Sequence, residues 1–295
     1  MTQPDAAPDE FEAHRPRLAR LAYRMLGSMS DAEDIVQEAW LRWQRADRAD
    51  VREPRAYLNR TVTRLCLDSI KSARARREVY VGSWLPEPIT EPEDEEMRAD
   101  ELTLTLMLAL ERLSPLERAA FLLYDVFQVP ANEVAETLER DEAAIRQLAA
   151  RARKHVREAK PRYQVDRAEG DRIAQAFFKA SSTGDVNALR SMLAANVVLK
   201  SDGGGKVTAF INPITGIERV LRLFSGLYRK LTARPAKFIQ PMWIDGLPGY
   251  VSSERDDVLQ TTAFEIEDGL ITAIYITRNP DKLGQITKAL DTKNN

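Results

Sequence analysis

Cysteine is almost missing from this chain: Cys66 is the only one among 295 residues, so no disulfide framework can form within it. Histidine is nearly as scarce. His14 and His155 lie far apart in sequence, outside metal-ligand spacing, and neither has a cysteine partner beside it. The expectation is therefore no metal and no cofactor. No apolar run approaches the ~20 residues that cross a bilayer. The segment Met1–Glu10 is acidic and carries proline, with neither the basic nor the apolar region of a secretory leader. These absences predict a cytoplasmic protein with no membrane partner. An excess of one charge is also lacking, since 43 Lys and Arg face 45 Asp and Glu for a net charge of -2. A protein that bound nucleic acid over its whole surface would be basic. DNA contacts here must come from local basic faces.

What is present suffices for two or three small domains, with 44% apolar residues to build their cores. The first block, from about Phe11 to Val81, is helical by pattern. Leu18, Leu21, Ala22, Met25 and Leu26 recur at helical spacing, Gly27-Ser28 ends that helix, and Ser30 or Asp31 is the expected cap of the next. A third helix is expected from Pro54 to about Arg77. The stretch Trp84-Leu85-Pro86-Glu87-Pro88, followed by Glu91, Glu93, Asp94, Glu95 and Glu96, reads as a linker by composition. Helical periodicity resumes near Glu101 and stops at Pro161. Beyond Asp166 the pattern changes to two helices, Ile173–Ser181 and Asn187–Leu193. Strand-like runs follow at Val197–Lys200, Val207–Ile211, Lys237–Ile244, Val258–Glu267 and Ile271–Thr277, with Asp268-Gly269 as a hairpin turn. Helices followed by a set of antiparallel strands predict an α+β domain.

Three segments carry chemistry. The first is a helix pair, Ala131–Leu138 and Glu142–Lys154, joined at Glu139-Arg140 with Asp141 as cap. Val134, Ala135, Leu138, Ile145 and Leu148 fall where a helix-turn-helix packs its two members. That leaves Arg146, Gln147, Arg151, Arg153 and Lys154 facing outward. Such a helix fits the major groove, where Arg and Gln read base edges and the later basic residues suit phosphates. An ordinary helical hairpin with a solvated basic face is the plainer alternative. The second segment is the basic cluster Lys71, Arg74, Arg76 and Arg77, which either meets DNA or caps its own helix C-terminus. The third is acidic: Asp34, Gln37 and Glu38 share one helix face, and Trp40 and Trp43 lie at its rim, a composition suited to a protein interface.

These segments, in this order, resemble the bacterial RNA polymerase sigma factors of the extracytoplasmic-function (ECF) group. The resemblance runs through Asp31-Ala32-Glu33-Asp34-Ile35-Val36-Gln37-Glu38, Ala56-Tyr57-Leu58-Asn59-Arg60 to Arg77, and Leu113-Ser114-Pro115 to Lys154. It implies that Asp34, Gln37, Glu38 and Trp40 dock on core polymerase, with the β′ clamp and β flap as partners. Asn59, Arg64, Lys71, Arg74, Arg76 and Arg77 would then meet the −10 element of promoter DNA. Arg146, Gln147, Arg151, Arg153 and Lys154 would read the −35 element. The tail resembles the SnoaL-like, cone-shaped α+β domain, and ECF factors with this fusion share markers seen here in Trp84–Pro88, Asp202-Gly203-Gly204-Gly205-Lys206 and Asn279-Pro280-Asp281-Lys282-Leu283. The implied organisation is sigma region two at 8–82, a linker at 83–101, region four at 102–162 and a regulatory domain at 166–295. Trp84, Leu85, Pro86, Asp202, Gly203, Gly204, Lys206, Asn279, Pro280, Asp281 and Lys282 are the expected interdomain contacts.

The glycine run is not a phosphate loop, because that pattern needs Gly where Lys200 stands and Ser or Thr where Val207 stands. No histidine follows His155, so acid–base chemistry in the tail would fall to Asp245, Asp256, Asp257, Tyr250 or Tyr275. The expectation is no enzyme. Phe177, Phe178, Phe224, Trp243 and Phe264 would either line a small-molecule pocket or form plain core. The rival to a sigma factor is a helix-turn-helix repressor or sensor with a ligand-binding tail, which has no need of the Asp34 face.

Overall fold

The computed structural model describes residues 6–47, 51–77, 80–90, 104–159, 165–231, 236–254 and 257–294. They fall into two compact units. One joins Met1–Glu78 to Met107–Ala159, and the other joins Val79–Leu106 to Lys160–Asn295.

The first unit is all helix. α1 (Ala6–Leu26), α2 (Met29–Arg45) and α3 (Pro54–Arg77) form a bundle around Phe11, Leu18, Leu21, Met25, Val36, Trp43, Leu58, Val62 and Cys66. These recur three, four or seven positions apart, one stripe per helix. Gly27 closes α1 in the left-handed region, at φ 71°, and its N–H bonds Tyr23 O at 2.7 Å. The cap of α2 is Ser28, not Ser30 or Asp31: its side chain accepts from Asp31 N at 3.1 Å. The short α4 (Leu104–Glu111) leads into α5 (Pro115–Phe121), which opens with a reciprocal cap between Ser114 and Glu117. A π-turn over Leu122–Val126 precedes α6 (Ala131–Leu138) and α7 (Glu142–Ala159). Arginines tie these helices to the bundle. Arg118, buried, donates to Met25 O at 2.6 Å and to Glu111 at 2.7 Å, while Arg17 donates to Phe127 O at 2.9 Å.

The second unit is α+β. α8 (Arg167–Thr183) and α9 (Val186–Met192) lead into β1 (Leu193–Asp202) and a short β2 (Ile214–Thr215). α10 (Ile217–Leu231) follows, then β3 (Lys237–Pro241), β4 (Gly249–Ser253), β5 (Leu259–Glu267), β6 (Leu270–Thr277), a 3₁₀ turn at Pro280–Lys282 and α11 (Gly284–Asn294). The six strands lie in the order β2-β1-β6-β5-β4-β3. β1 runs parallel to β6, against the all-antiparallel expectation, and the other pairings are antiparallel. α8, α9 and α10 supply Phe177, Leu189, Val220 and Phe224 to a core shared with Val197, Leu199, Phe264 and Ile274 of the sheet. The Asp268-Gly269 hairpin is present, with both residues at positive φ (50° and 78°). The expected strand at Val207–Ile211 does not form. Val207 N turns back to Gly203 O and Arg278 holds Thr208 O, so that backbone is satisfied without a ladder. The segment read as a linker is ordered over 80–90 and belongs to this unit, with Leu85 and Ile89 buried and Thr90 bridged to Ile244.

Candidate nucleic-acid interface and linker strap

α6 and α7 meet as a helix-turn-helix. Between them Glu139 takes a left-handed conformation, φ 55° and ψ 49°, at the position where glycine is usual, and its N–H closes on Ala135 O. Asp141 caps α7 by accepting from Ala144 N at 2.7 Å. α7 buries Ile145, Ala149, Ala152 and Val156, four positions apart or nearly so, and Leu148 sits half-buried beside them. The opposite face exposes Arg146, Gln147, Arg151 and Lys154, with Arg153 half-buried at its edge. Three of these bases are held by carboxylates: Arg146 by Glu142 at 2.5 Å, Arg151 by Glu117 at 2.9 Å and Arg153 by Asp125 at 3.0 Å. The Ser114 hydroxyl first, and then Arg151, hold the Glu117 carboxyl below the usual carboxylate range. A DNA phosphate reaching Arg151 has to replace a carboxylate with oxygens of similar geometry.

On α2, Asp34 and Gln37 are exposed. Glu38 is half-buried and pairs with Arg42 at 2.8 Å. Trp40 is half-buried, its ring 5.0 Å from that of Phe11, so much of its surface already serves packing. On α3, Arg64 is exposed and pairs with Glu139 at 2.9 Å, and Lys71 pairs with Asp68 at 3.1 Å. Asn59, expected on the −10 surface, is 5% exposed and is instead packed within the bundle between Leu58 and Val62. A side chain so enclosed has no face to offer DNA. The side chains of Arg74, Arg76 and Arg77 lie outside the described residues.

The tail markers gather at one place in the second unit, around Asp202. Its carboxylate lies at the end of β1 and is fully buried. It accepts from Tyr80 Oη, from Leu85 N at 2.8 Å, from Gly204 N at 3.0 Å and from Lys282 Nζ at 2.8 Å. Lys282 Nζ also donates to Leu85 O at 2.5 Å and lies 4.2 Å from the centre of the Trp84 ring. Asn279 donates to Tyr80 Oη at 3.1 Å. Burial and the Asp202 hydrogen bond both raise the Tyr80 phenol above its ordinary range. A side chain on Gly204, at φ 62°, would collide with the Asn279 amide, and one on Gly203 would collide with Val207 O. Lys206 pairs with Asp281 at 2.5 Å. Pro86 is buried in the strap, and Pro280 is exposed at the first position of the 3₁₀ turn, which Asn279 caps by accepting from Asp281 N at 3.1 Å.

Two further carboxylates hold the same strap farther along. Asp245 N donates to Ile89 O at 2.9 Å, Ile89 N donates to the Asp245 carboxylate at 3.4 Å, and Leu104 N donates to Asp245 O at 2.8 Å. Thr105 donates to Glu265 at 2.5 Å. The connection between the two helical modules is thus fastened to the sheet at both of its described ends. Sequence reading named the markers, offered Asp245 only as a candidate acid or base, and missed Tyr80 and Glu265. No motif flags them: Tyr80 lies in the strap itself, Asp245 in the loop between β3 and β4, and Glu265 on β5.

The aromatics of the tail pack on each other. Phe177 lies 5.3 Å edge-on to Phe224 and 4.8 Å from Phe264. Trp243 stands apart, bonded to Asp171 at 3.2 Å. Tyr250 is buried against Phe178 and Phe264, and Tyr275 donates to Glu265 at 3.1 Å. Asp257 is exposed, and Asp256 lies outside the described residues. Among the described residues no group of three or more His, Cys, Asp or Glu could hold a metal, and no helix is long and apolar enough to cross a membrane.

Two family models match the helical unit: Sigma-70 region 2 over residues 11–76, and Sigma-70, region 4 over residues 103–156. The chain belongs to the ECF family of RNA polymerase sigma factors, non-enzymatic transcription initiation factors that bind core polymerase and promoter DNA. It is 39% identical over 290 residues to the ECF RNA polymerase sigma factor SigJ of Mycobacterium tuberculosis H37Rv, with 92% of each chain covered. Against the crystal structure of M. tuberculosis SigJ the TM-score is 0.72 at 34% identity, covering 94% of this chain and 98% of that one. The tail also matches a SnoaL-like protein of unknown function from Burkholderia thailandensis E264, with a TM-score of 0.33 and 14% identity, covering 39% of this chain and 97% of that one. The protein is an alternative sigma factor, and the repressor reading falls away.

Proposed function

We propose that the two helical modules divide promoter recognition between them and that the C-terminal domain controls the connection joining them. In this reading α2 docks on core polymerase at the β′ clamp through Asp34, Gln37 and Glu38, with region four near the β flap. α7 enters the major groove at the −35 element with Arg146, Gln147, Arg151 and Lys154, and Arg153 supports its edge. Arg64 and Lys71, with Arg74, Arg76 and Arg77, serve the −10 element. Melting draws on binding energy and needs no nucleotide hydrolysis by this chain. The observation that carries the DNA assignment is the partition of α7, which buries Ile145, Ala149, Ala152 and Val156 and exposes an Arg–Gln–Arg–Lys face.

The regulatory assignment rests on the strap. Leu85 is anchored by Asp202 and Lys282, and Ile89 by Asp245. So fastened, residues 80–90 have one path. Release gives the modules the freedom of an unanchored linker, and the balance of the two states sets activity. A small-molecule ligand would have to displace the packing of Phe177, Phe224 and Phe264, so control is assigned to the strap.

The test is transcription in vitro with core polymerase and a genomic promoter library. Asp34→Ala/Gln37→Ala is expected to lose core binding and all promoter-specific transcripts. Arg146→Ala/Gln147→Ala is expected to keep core binding and lose −35 discrimination. A chain ending before Asn279 is expected to keep core binding and change promoter output. Unchanged promoter choice in the Arg146 variant would sink the groove assignment, and unchanged output from the shortened chain would sink the regulatory one.

A further inference from the structure

One strongly charged surface of the second unit has no part in the strap or the core. α10 turns Val220, Leu221 and Phe224 into the core. Its opposite arc carries Arg219, Arg222, Gly226, Arg229 and Lys230, spaced three, four, three and one residues apart, with all four bases exposed. Glu218, the acid on this helix, is occupied by Arg190, which meets both of its oxygens. Arg222 and Arg229 each use Nε on a carbonyl of their own helix, at 3.3 and 3.4 Å. A guanidinium has five N–H donors, so each keeps most of its capacity. Among the described residues no ion pair engages Arg219, Arg222, Arg229 or Lys230. Gly226 lies in the middle of the arc with nothing within 4 Å of where a side chain would begin, leaving the helix surface open to close approach.

We propose that this face of α10 is a second, sequence-independent DNA contact that grips the phosphate backbone of the duplex bound by the helical modules. From Arg219 to Lys230 the rise is about 16 Å, the axial length of about five nucleotide steps on one strand. The face carries four uncompensated positive charges on a chain whose net charge is -2, so its sign is local and not a property of the whole surface. The partner it fits is a regular polyanion. Val220, Leu221 and Phe224 of α10 are turned inward, and Tyr228 alone among its described large apolar residues is exposed, whereas a membrane-binding helix would need an apolar face beside its bases. Promoter DNA is already held by the same polypeptide, so even a weak second contact acts at high effective concentration.

The experiment measures the affinity of the holoenzyme, full chain plus core polymerase, for promoter and scrambled duplexes across a KCl series. Arg222→Gln/Arg229→Gln is compared with Lys179→Gln/Lys288→Gln, which removes the same charge from exposed positions elsewhere on the domain. The slope of log K against log [KCl] is expected to flatten by about 2 for the α10 pair, on both duplexes alike. The Lys179/Lys288 pair should leave it unchanged. Equal flattening in both pairs, or none in either, overturns the proposal. So does a loss confined to core-polymerase binding or to anionic vesicles with the DNA slope intact. Scrambled DNA keeps this readout separate from the α7 assignment, whose failure shows only in promoter discrimination.

Discussion

Replacing Lys282 by methionine should free the strap without unfolding the protein. Its ammonium stands 2.8 Å from Asp202, with side-chain exposures of 11% and 0%. Removing one partner of a buried pair costs about 3–5 kcal/mol, chiefly because the other charge is left uncompensated. Asp202 would keep the Tyr80 hydroxyl and the N–H groups of Leu85 and Gly204 as donors, so the lower end, about 3 kcal/mol, is expected. Opening of the strap would then be favoured by roughly two powers of ten. Amide hydrogen exchange across residues 80–90 reads this directly, because Leu85 N–H has Asp202 as its partner. Asp202→Asn alone should loosen the same amides. The double variant should lose less than the sum of the singles, as contacting residues do. Unchanged protection at Leu85 in the folded Lys282→Met protein would refute the reasoning, and strict additivity would show that the pair is not the latch.

Arg118→Met removes the buried guanidinium that bonds Met25 O and Glu111, and should lower the stability of the helical unit by about 3–5 kcal/mol in thermal or urea unfolding. Glu139→Gly relieves a left-handed residue and should gain roughly 0.5–1 kcal/mol, read as a rise in Tm, since the exposed Arg64 pair it gives up is worth little. Ser114→Ala deletes the hydroxyl half of the α5 cap, its bonds with Glu117 N and the Glu117 carboxylate, and keeps the backbone N–H bond to that carboxylate; it should cost about 1 kcal/mol near neutral pH. The folded Glu117 carboxyl titrates below its unfolded range, so its contribution is complete above that range and fades as pH falls through the folded value. The deficit of Ser114→Ala in urea titrations should therefore shrink toward acid pH, and a deficit constant down to pH ~3 would contradict the assignment.

The helical half was legible because its signals are local. The apolar stripes of α1, α2 and α7, the glycine at position 27 and the Asp141 cap all act within four residues of themselves. Ser28 was missed as a cap because Ser30 and Asp31 compete for the role in sequence, and only the backbone angle selects among them. The tail was harder. Val207–Ile211 has strand composition, but the turn at Gly203 and the grip of Arg278 on Thr208 take its backbone out of the sheet. β4 begins with a glycine, and its pairing depends on Gly249 lying against Thr262 and Ala263 of β5. The markers Trp84–Pro88, Asp202–Lys206 and Asn279–Leu283 were each visible as short motifs, whereas their convergence on one carboxylate was not. The resemblance placed Asn59 on the DNA surface by position, and the bundle encloses it.

The strap also has a place in time. Leu85 waits for Asp202, 117 residues downstream, and for Lys282, 197 residues downstream. At ribosomal speeds of 5–20 residues per second those partners emerge about 6 to 40 s after it. The second helical module is itself complete only at Ala159, and from then until Asp202 and Lys282 emerge both modules are present with their connection unfastened, so a nascent chain passes through the released state before it reaches the restrained one. A premature stop before Asp202 leaves the chain there permanently, and one between Asp202 and Lys282 leaves the strap without its ammonium.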